Sequence, residues 1–163
     1  MRTSLLGLLL LTCPWLAAQT GGQSQPYRYR GNGYVFGALG ACQHGYFLGG
    51  GGGGGEALVW KGLAVGGEAG AYSFSDGWAF GSAQATLGWH FVDRNVRDKT
   101  EYFVNFGPGI AFGLGGSSAN PWASLGGGGI AWINDRVGIR FEVRSQAMSE
   151  EGMIVGRIGV SFR

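Results

Sequence analysis

The sequence predicts an all-β fold whose strands carry one apolar face and one small or polar face. Residues 137–144 (VGIRFEVR) show this best, because the odd positions are apolar and the even positions are glycine, arginine or glutamate. Successive side chains of a strand point to opposite sides. The composition agrees, since 13% of the residues are aromatic and 35 are glycine, while 13% are charged, against about 25% in soluble domains. These observations favour strands that face lipid on one side and a narrow barrel interior on the other.

The same alternation recurs along the chain, and turn-forming or charged stretches separate its segments. The predicted strands are residues 33–42, 46–57, 62–74, 78–91, 101–114, 122–133, the segment from 137 up to a loop at 147–152, and 153–163. Strands of about 9 to 14 residues are long enough to cross a membrane at a tilt. The prediction is therefore an all-β, eight-stranded antiparallel up-and-down transmembrane β-barrel. An even number of strands places both chain ends on the same, periplasmic side.

The second predicted strand contains seven consecutive glycines, residues 49–55. Such a run is either a flexible linker or a strand whose glycines allow tight curvature in a small barrel. The strand interpretation is favoured, because without it only seven strands remain. In the fifth strand Pro108 cannot donate a hydrogen bond to a neighbour, which predicts a bulge or a local break.

The beginning of the chain has the features of an exported protein. Residues 1–18 are predicted to be a secretory signal peptide, with Arg2 as the positive start, residues 5–11 as the apolar stretch and small residues before Gln19. Residues 19–32 are predicted to be a flexible N-terminal segment, and residues 33–163 the barrel. Outside the leader no apolar run approaches the about 18 to 20 residues that a spanning helix needs. Cys42 has no cysteine to pair with once the leader is removed.

Charged residues at inward-predicted strand positions form the candidate site. They are Glu68, Arg140, Glu142, Arg144 and Arg157, and Glu56 is a further candidate. Side chains fill the interior of an eight-stranded barrel, so these charges are expected to pair with one another in a buried network. The favoured interpretation is structural, and the alternative is a path for protons or ions.

The sequence gives little support for catalysis, and no catalytic, cofactor-binding or metal-binding residue is predicted. His44 and His90 lie near predicted strand ends without the spacing of metal ligands. His90 and Ser82 share a face, but they lie eight residues apart on one strand, about 26 Å. The 12 basic residues nearly balance the 10 acidic ones, which leaves no electrostatic footprint for nucleic acid.

The alternating strands, the charged face of residues 135–144 and the ending at 157–163 together resemble the small eight-stranded outer-membrane β-barrel family, the OmpA/OmpX-like group of Gram-negative bacteria. Phe162, one residue before the end, resembles the C-terminal assembly signal of these proteins. The resemblance implies a monomer in the lipid bilayer of the outer membrane, inserted by the barrel-assembly machinery. It also implies roles that range from envelope integrity to adhesion.

Three functions remain open on the sequence. The favoured one is a non-enzymatic outer-membrane barrel with a structural or surface-interaction role and no cofactor. The second is an outer-membrane barrel enzyme that acts on lipid or lipopolysaccharide. The third is a secreted, water-soluble β-barrel that binds a small apolar ligand.

Overall fold

A computed structural model describes residues 31–91, 100–113, 119–148 and 151–163, which form eight antiparallel strands. The strands are β1 (Gly31–Cys42), β2 (Phe47–Trp60), β3 (Leu63–Phe74), β4 (Ala79–Phe91), β5 (Thr100–Gly113), β6 (Ala119–Trp132), β7 (Val137–Met148) and β8 (Glu151–Phe162). The predicted signal peptide lies outside the described residues, as does the predicted flexible segment up to residue 30. Within the described part of the chain, no helix is long and apolar enough to cross a membrane.

Each strand pairs with the next in sequence, and β1 pairs with β8 to close the barrel. This confirms the predicted eight-stranded up-and-down architecture. The first and last strands bring Gly31 and Phe162 to one end of the barrel, which we call the terminus end. Strands β2, β4, β6 and β8 end at this end, whereas β1, β3, β5 and β7 end at the opposite, loop end.

The register of the strands determines how wide the barrel is. Tyr34 of β1 is paired with a residue of β2, which is paired with a residue of β3, and so on round the barrel. Followed through all eight strands, these pairings return to β1 at the level of residue 44, ten residues further along. In an eight-stranded barrel this stagger tilts the strands by roughly 35–45° and leaves an interior that side chains can fill.

The glycine run forms the middle of β2, which confirms the strand interpretation. Gly49 to Gly55 pair with β1 on one side and with β3 on the other. The inward-facing glycines of the run, Gly50, Gly52 and Gly54, have no room for a side chain, because a Cβ there would collide with the backbone of β3. The glycines therefore let the wall curve sharply at this point.

Several strand boundaries and one irregularity differ from the prediction. β7 continues to Met148 and β8 begins at Glu151, so both strands extend into the predicted loop at residues 147–152 and remain paired there. β1 begins at Gly31, two residues earlier than predicted, and β6 begins at Ala119 rather than 122. β2 continues to Trp60, into the predicted connection at residues 58–61, because a register shift there keeps it paired with β3. Pairing between β4 and β5 is interrupted opposite Pro108, with the same register on both sides, so the proline causes a local break and no bulge.

The outer surface of the barrel is apolar. No described outward-facing position of the eight strands carries a charged side chain. Large apolar side chains project from all sides except the middle of β2, β3 and β4, where glycine and alanine form the surface. In water such a surface would be unfavourable, whereas it matches the hydrocarbon region of a bilayer.

The interior is divided into two halves along the barrel axis. The loop half contains an apolar cluster that includes Phe36, Leu48, Phe80, Trp122 and Met153. The half towards the terminus end contains the buried charged residues, with a smaller apolar cluster of Phe103, Ile130 and Trp132 beside them.

Two glycine-to-alanine substitutions in β2 are expected to change stability differently, because the space around the two glycines differs. At Gly52 an added Cβ would lie 2.8 Å from Gly70 Cα and 2.9 Å from Phe36 Cζ, so we expect Gly52→Ala to lower the free energy of unfolding by about 1–3 kcal/mol. At Gly55 the nearest atom is Asn32 O at 3.4 Å. Gly55→Ala is expected to be neutral or to stabilise by up to about 1 kcal/mol. Urea titration in detergent micelles measures both, and equal losses would contradict the curvature argument.

Candidate functional site

The five predicted network residues come from three strands and all face the interior. Glu68 lies on β3, Arg140, Glu142 and Arg144 on β7, and Arg157 on β8. Their side chains are almost fully buried, and that of Arg144 is 0% exposed. They share one face because alternate residues of β7 point inward and because Glu142 is paired directly with Arg157 of β8.

Glu68 is the acceptor for two guanidinium groups. Arg144 Nη1 donates a hydrogen bond to Glu68 Oε1 at 2.7 Å. Arg157 Nη1 donates to Oε1 at 2.9 Å and to Oε2 at 3.1 Å. The hydroxyl of Tyr34 also donates to Oε2, at 3.0 Å, so both carboxylate oxygens are satisfied.

Glu142 forms the second acidic centre. Arg144 donates to its Oε1 from both Nε (2.8 Å) and Nη2 (2.5 Å), and Asn105 Nδ2 donates at 2.9 Å. Arg140 Nε lies 3.5 Å from the other oxygen, at ion-pair distance. Arg144 therefore bridges Glu68 and Glu142, and charge-assisted hydrogen bonds of this kind are among the strongest in proteins.

Glu56 connects this network to the terminus end. Its Oε1 accepts hydrogen bonds from Asn32 Nδ2 at 2.9 Å and from Arg140 Nη1 at 3.1 Å. The Arg140 guanidinium is stacked 4.3 Å from the ring centre of Tyr34 and 3.9 Å from that of Phe103. Aromatic faces stabilise a desolvated cation, so Arg140 is held by rings as well as by carboxylates.

His90 lies between two carboxylates. Its Nδ1 is 2.5 Å from Glu101 Oε1, and its Nε2 is 3.2 Å from Glu56 Oε1, at ion-pair distance but off the line of a hydrogen bond. Trp132 Nε1 donates to the second oxygen of Glu101 at 3.1 Å. A neutral imidazole has one N–H, whereas the imidazolium has two. Only the protonated ring presents an N–H to both carboxylates.

Protonation of His90 also balances the buried charge. Among the side chains that the structure describes, the interior contains four glutamates, Glu56, Glu68, Glu101 and Glu142, and three arginines, Arg140, Arg144 and Arg157. With an imidazolium at position 90, four cations face four anions. A buried ion without a partner is strongly unfavourable, so a neutral total is the arrangement that we expect.

Sequence analysis did not place His90 or Glu101 in the network. Their alternation with neighbouring residues predicts the inward position of both: His90 shares a face with Thr86, and Glu101 shares a face with Phe103. The sequence predicts neither a metal-binding nor a catalytic role for His90, and it predicts Glu101 as the first residue of the fifth strand. His44, by contrast, is exposed in the connection between β1 and β2. Among the described residues no group of three His, Cys, Asp or Glu side chains could hold a metal ion.

The buried charges lie towards the terminus end, and the described side chains between them and the loop end are uncharged. The apolar cluster around Phe36, Leu48 and Phe80 lies between the network and that end of the barrel. Within the described residues each buried charged side chain lies within ion-pair distance of at least one group of opposite charge, with His90 counted as protonated.

No protein-family model matches the sequence, and no curated protein matches it. Solved structures do match its fold. Neisserial surface protein A has a TM-score of 0.63 at 11% identity, covering 83% of this chain and 96% of its own. The N-terminal β-barrel domain of Pseudomonas aeruginosa OprF has a TM-score of 0.61 at 14% identity, covering 80% of this chain and 96% of its own. The outer membrane enzyme PagL has a TM-score of 0.57 at 16% identity, covering 80% of this chain and 99% of its own.

These similarities establish the fold. The chain has the architecture of the small eight-stranded outer-membrane β-barrels, as the resemblance in the sequence implied. Because one of the matching structures is an enzyme, the fold alone does not determine the activity.

Reversal of one network charge tests the pairing. Glu142→Lys is expected to remove about 3–5 kcal/mol from the free energy of unfolding, since it adds a cation beside Arg140 and Arg144 in a buried site. Asp135→Lys, the same reversal in an exposed turn, is the matched control and should change stability by less than about 1 kcal/mol. Urea titration followed by tryptophan fluorescence gives both values. If Glu142→Lys unfolds like the parent protein, its side chain does not face the interior.

The bridge made by His90 is tested by a double-mutant cycle. His90→Gln and Glu101→Gln, alone and together, should show a coupling energy of about 1–3 kcal/mol, because the two side chains share a short buried contact. His90→Gln combined with Asp76→Asn, at the opposite end of the barrel, should show less than about 0.5 kcal/mol. Equal coupling in the two cycles would contradict the contact.

Proposed function

We propose that this protein is a non-enzymatic outer-membrane β-barrel with a structural role in the envelope or a role in surface interactions. The observation that carries the proposal is the filled interior. In the described residues, paired charges occupy the half towards the terminus end, and an apolar cluster together with uncharged polar side chains such as Gln84, Ser124 and Gln146 occupies the loop half. A barrel filled in this way acts as a rigid wall element and presents its connections at the membrane surface.

The apolar exterior supports the bilayer as the barrel's surroundings. Its strands contain 12 to 14 residues, enough to cross the hydrocarbon region at a tilt. Aromatic side chains such as Trp60, Tyr102 and Phe47 project outward near the two ends, where aromatic girdles meet the interface. The proposed location is the outer membrane, with the terminus end in the periplasm.

Export and assembly complete the proposal. The leader at residues 1–18 would direct the chain across the inner membrane, and the barrel-assembly machinery would insert it as a monomer. Phe162 is the proposed assembly signal. Its side chain is 46% exposed on the outer surface, on the strand that closes the barrel against β1, so an assembly factor could reach it before closure.

A filled interior predicts the absence of conductance. The purified barrel, reconstituted in planar lipid bilayers at about 1 M KCl, is expected to show no stable current steps. An ion would have to give up its hydration shell to pass the apolar cluster, which is strongly unfavourable. A general porin in the same preparation serves as the positive control. Reproducible ohmic steps at the single-channel level would contradict the structural role and favour an ion path.

A barrel enzyme that acts on lipid or lipopolysaccharide is the second candidate, and the fold shared with PagL favours it. Release of fatty acid from labelled phospholipid or lipopolysaccharide vesicles measures such an activity. His44 is the accessible histidine of the described residues, whereas His90 is engaged with carboxylates on both sides. Activity lost in His44→Ala would support this candidate, and no release above that of empty vesicles would dismiss it.

A further inference from the structure

Exposed charge is divided between the two ends of the barrel. The sequence of the loop-end connections, residues 43–46, 75–78, 114–118 and 149–150, contains no lysine or arginine, and it contains Asp76 and Glu150. The described part of the terminus end carries Lys61, Arg136 and Arg163, with Asp135 as its acidic residue. Among the described residues, the basic side chains outside the interior therefore lie at one rim.

Two of these residues meet at one corner of the rim. Arg163, after the end of β8, donates its backbone N–H to Arg136 O at 3.0 Å, and its Nε to Asp135 O at 2.8 Å. Its guanidinium carbon lies 4.1 Å from the ring centre of Trp132. These contacts hold the last residue of the chain against the turn between β6 and β7. Ile133, which is 60% exposed, lies in the same turn.

Lys61 lies in the turn between β2 and β3. Its Nζ is 5.3 Å from the ring centre of Trp60, a side chain that is 59% exposed on the outer surface. Lys61 has a φ of 38°, and it is the only non-glycine residue of the described chain with a positive φ. Glycine or asparagine normally occupies such turn positions, because a Cβ crowds the backbone when φ is positive. Lys61 is therefore unfavourable for the turn, but it places a cation beside the exposed Trp60.

We propose that Lys61, Arg136 and Arg163 form a basic rim that binds the anionic headgroups of phospholipids in the leaflet at the terminus end. The exposed Trp60 and Ile133 lie at the border of the apolar surface. Lys61 lies beside Trp60, and Arg136 and Arg163 meet at the turn that contains Ile133. Basic residues near a membrane surface attract anionic lipids. Because the loop-end connections contain no basic residue, the preference is confined to one leaflet. This inference rests on the proposed membrane location.

Quenching of tryptophan fluorescence by brominated lipids tests the proposal. The mature chain is first inserted into phosphatidylcholine vesicles, and brominated phosphatidylglycerol or brominated phosphatidylcholine is then added in equal amounts. The parent protein is expected to be quenched preferentially by the brominated phosphatidylglycerol. The triple variant K61Q/R136Q/R163Q should lose most of this preference, with a drop of roughly fivefold in relative affinity for each cation that contributes.

Four controls make the result specific. The variant R136K/R163K keeps the charge and should keep the preference, and Asp76→Asn at the loop end should leave it unchanged. Raising NaCl from about 0.1 M to about 1 M shortens the Debye length from about 10 Å to about 3 Å, which should weaken the preference of the parent protein without any substitution. Inorganic phosphate at the same ionic strength should not compete further, since the headgroup is presented by the bilayer.

The possible failures are distinguishable. If the chain does not insert into phosphatidylcholine vesicles, the proposed membrane location is wrong. If it inserts but the two brominated lipids quench equally, only the basic rim is wrong. A preference that persists in K61Q/R136Q/R163Q would also overturn the assignment, and the salt series on the parent protein decides the matter if that variant does not fold.

Discussion

The rest of the structure depends on the pairing of Arg144 with Glu68 and Glu142. Arg144 donates to both carboxylates from a position with no solvent exposure, and these two acids belong to strands on different sides of the barrel. The ion pairs therefore link the wall across its interior, in addition to the hydrogen bonds between neighbouring strands. Since an unpaired charge there would be strongly destabilising, the network favours the one register in which all its members meet.

Much of this arrangement follows from the alternation of side chains. In β7 the even-numbered residues had to share a face, and the composition of the odd-numbered face indicated lipid, so Arg140, Glu142 and Arg144 could be placed inward from the sequence. The partners across the barrel could not be predicted in the same way. That Arg144 meets Glu68, and that His90 lies between Glu56 and Glu101, depends on the stagger of ten residues round the barrel. The stagger is a property of all eight strand pairings together, so the sequence of one strand does not predict it.

The glycine run shows where local and global information differ. Seven consecutive glycines are locally compatible with a flexible linker, and only the strand count favoured β2. The structure supplies the physical reason, since Gly50, Gly52 and Gly54 lie where the wall has no space for a Cβ. The division of the interior into a charged half and a half without buried ion pairs likewise appears only when the barrel closes.

The most direct test of the account compares the mobility of unboiled and boiled samples of the outer-membrane fraction in an SDS gel. A closed barrel held by ladders of backbone hydrogen bonds and by a buried charge network is expected to resist SDS until it is heated. The account therefore predicts a compact, faster-moving band in the unboiled sample. A single unshifted band, with the protein in the soluble fraction, would contradict it. The apolar residues assigned here to the lipid-facing surface would then have to form the core of a soluble protein.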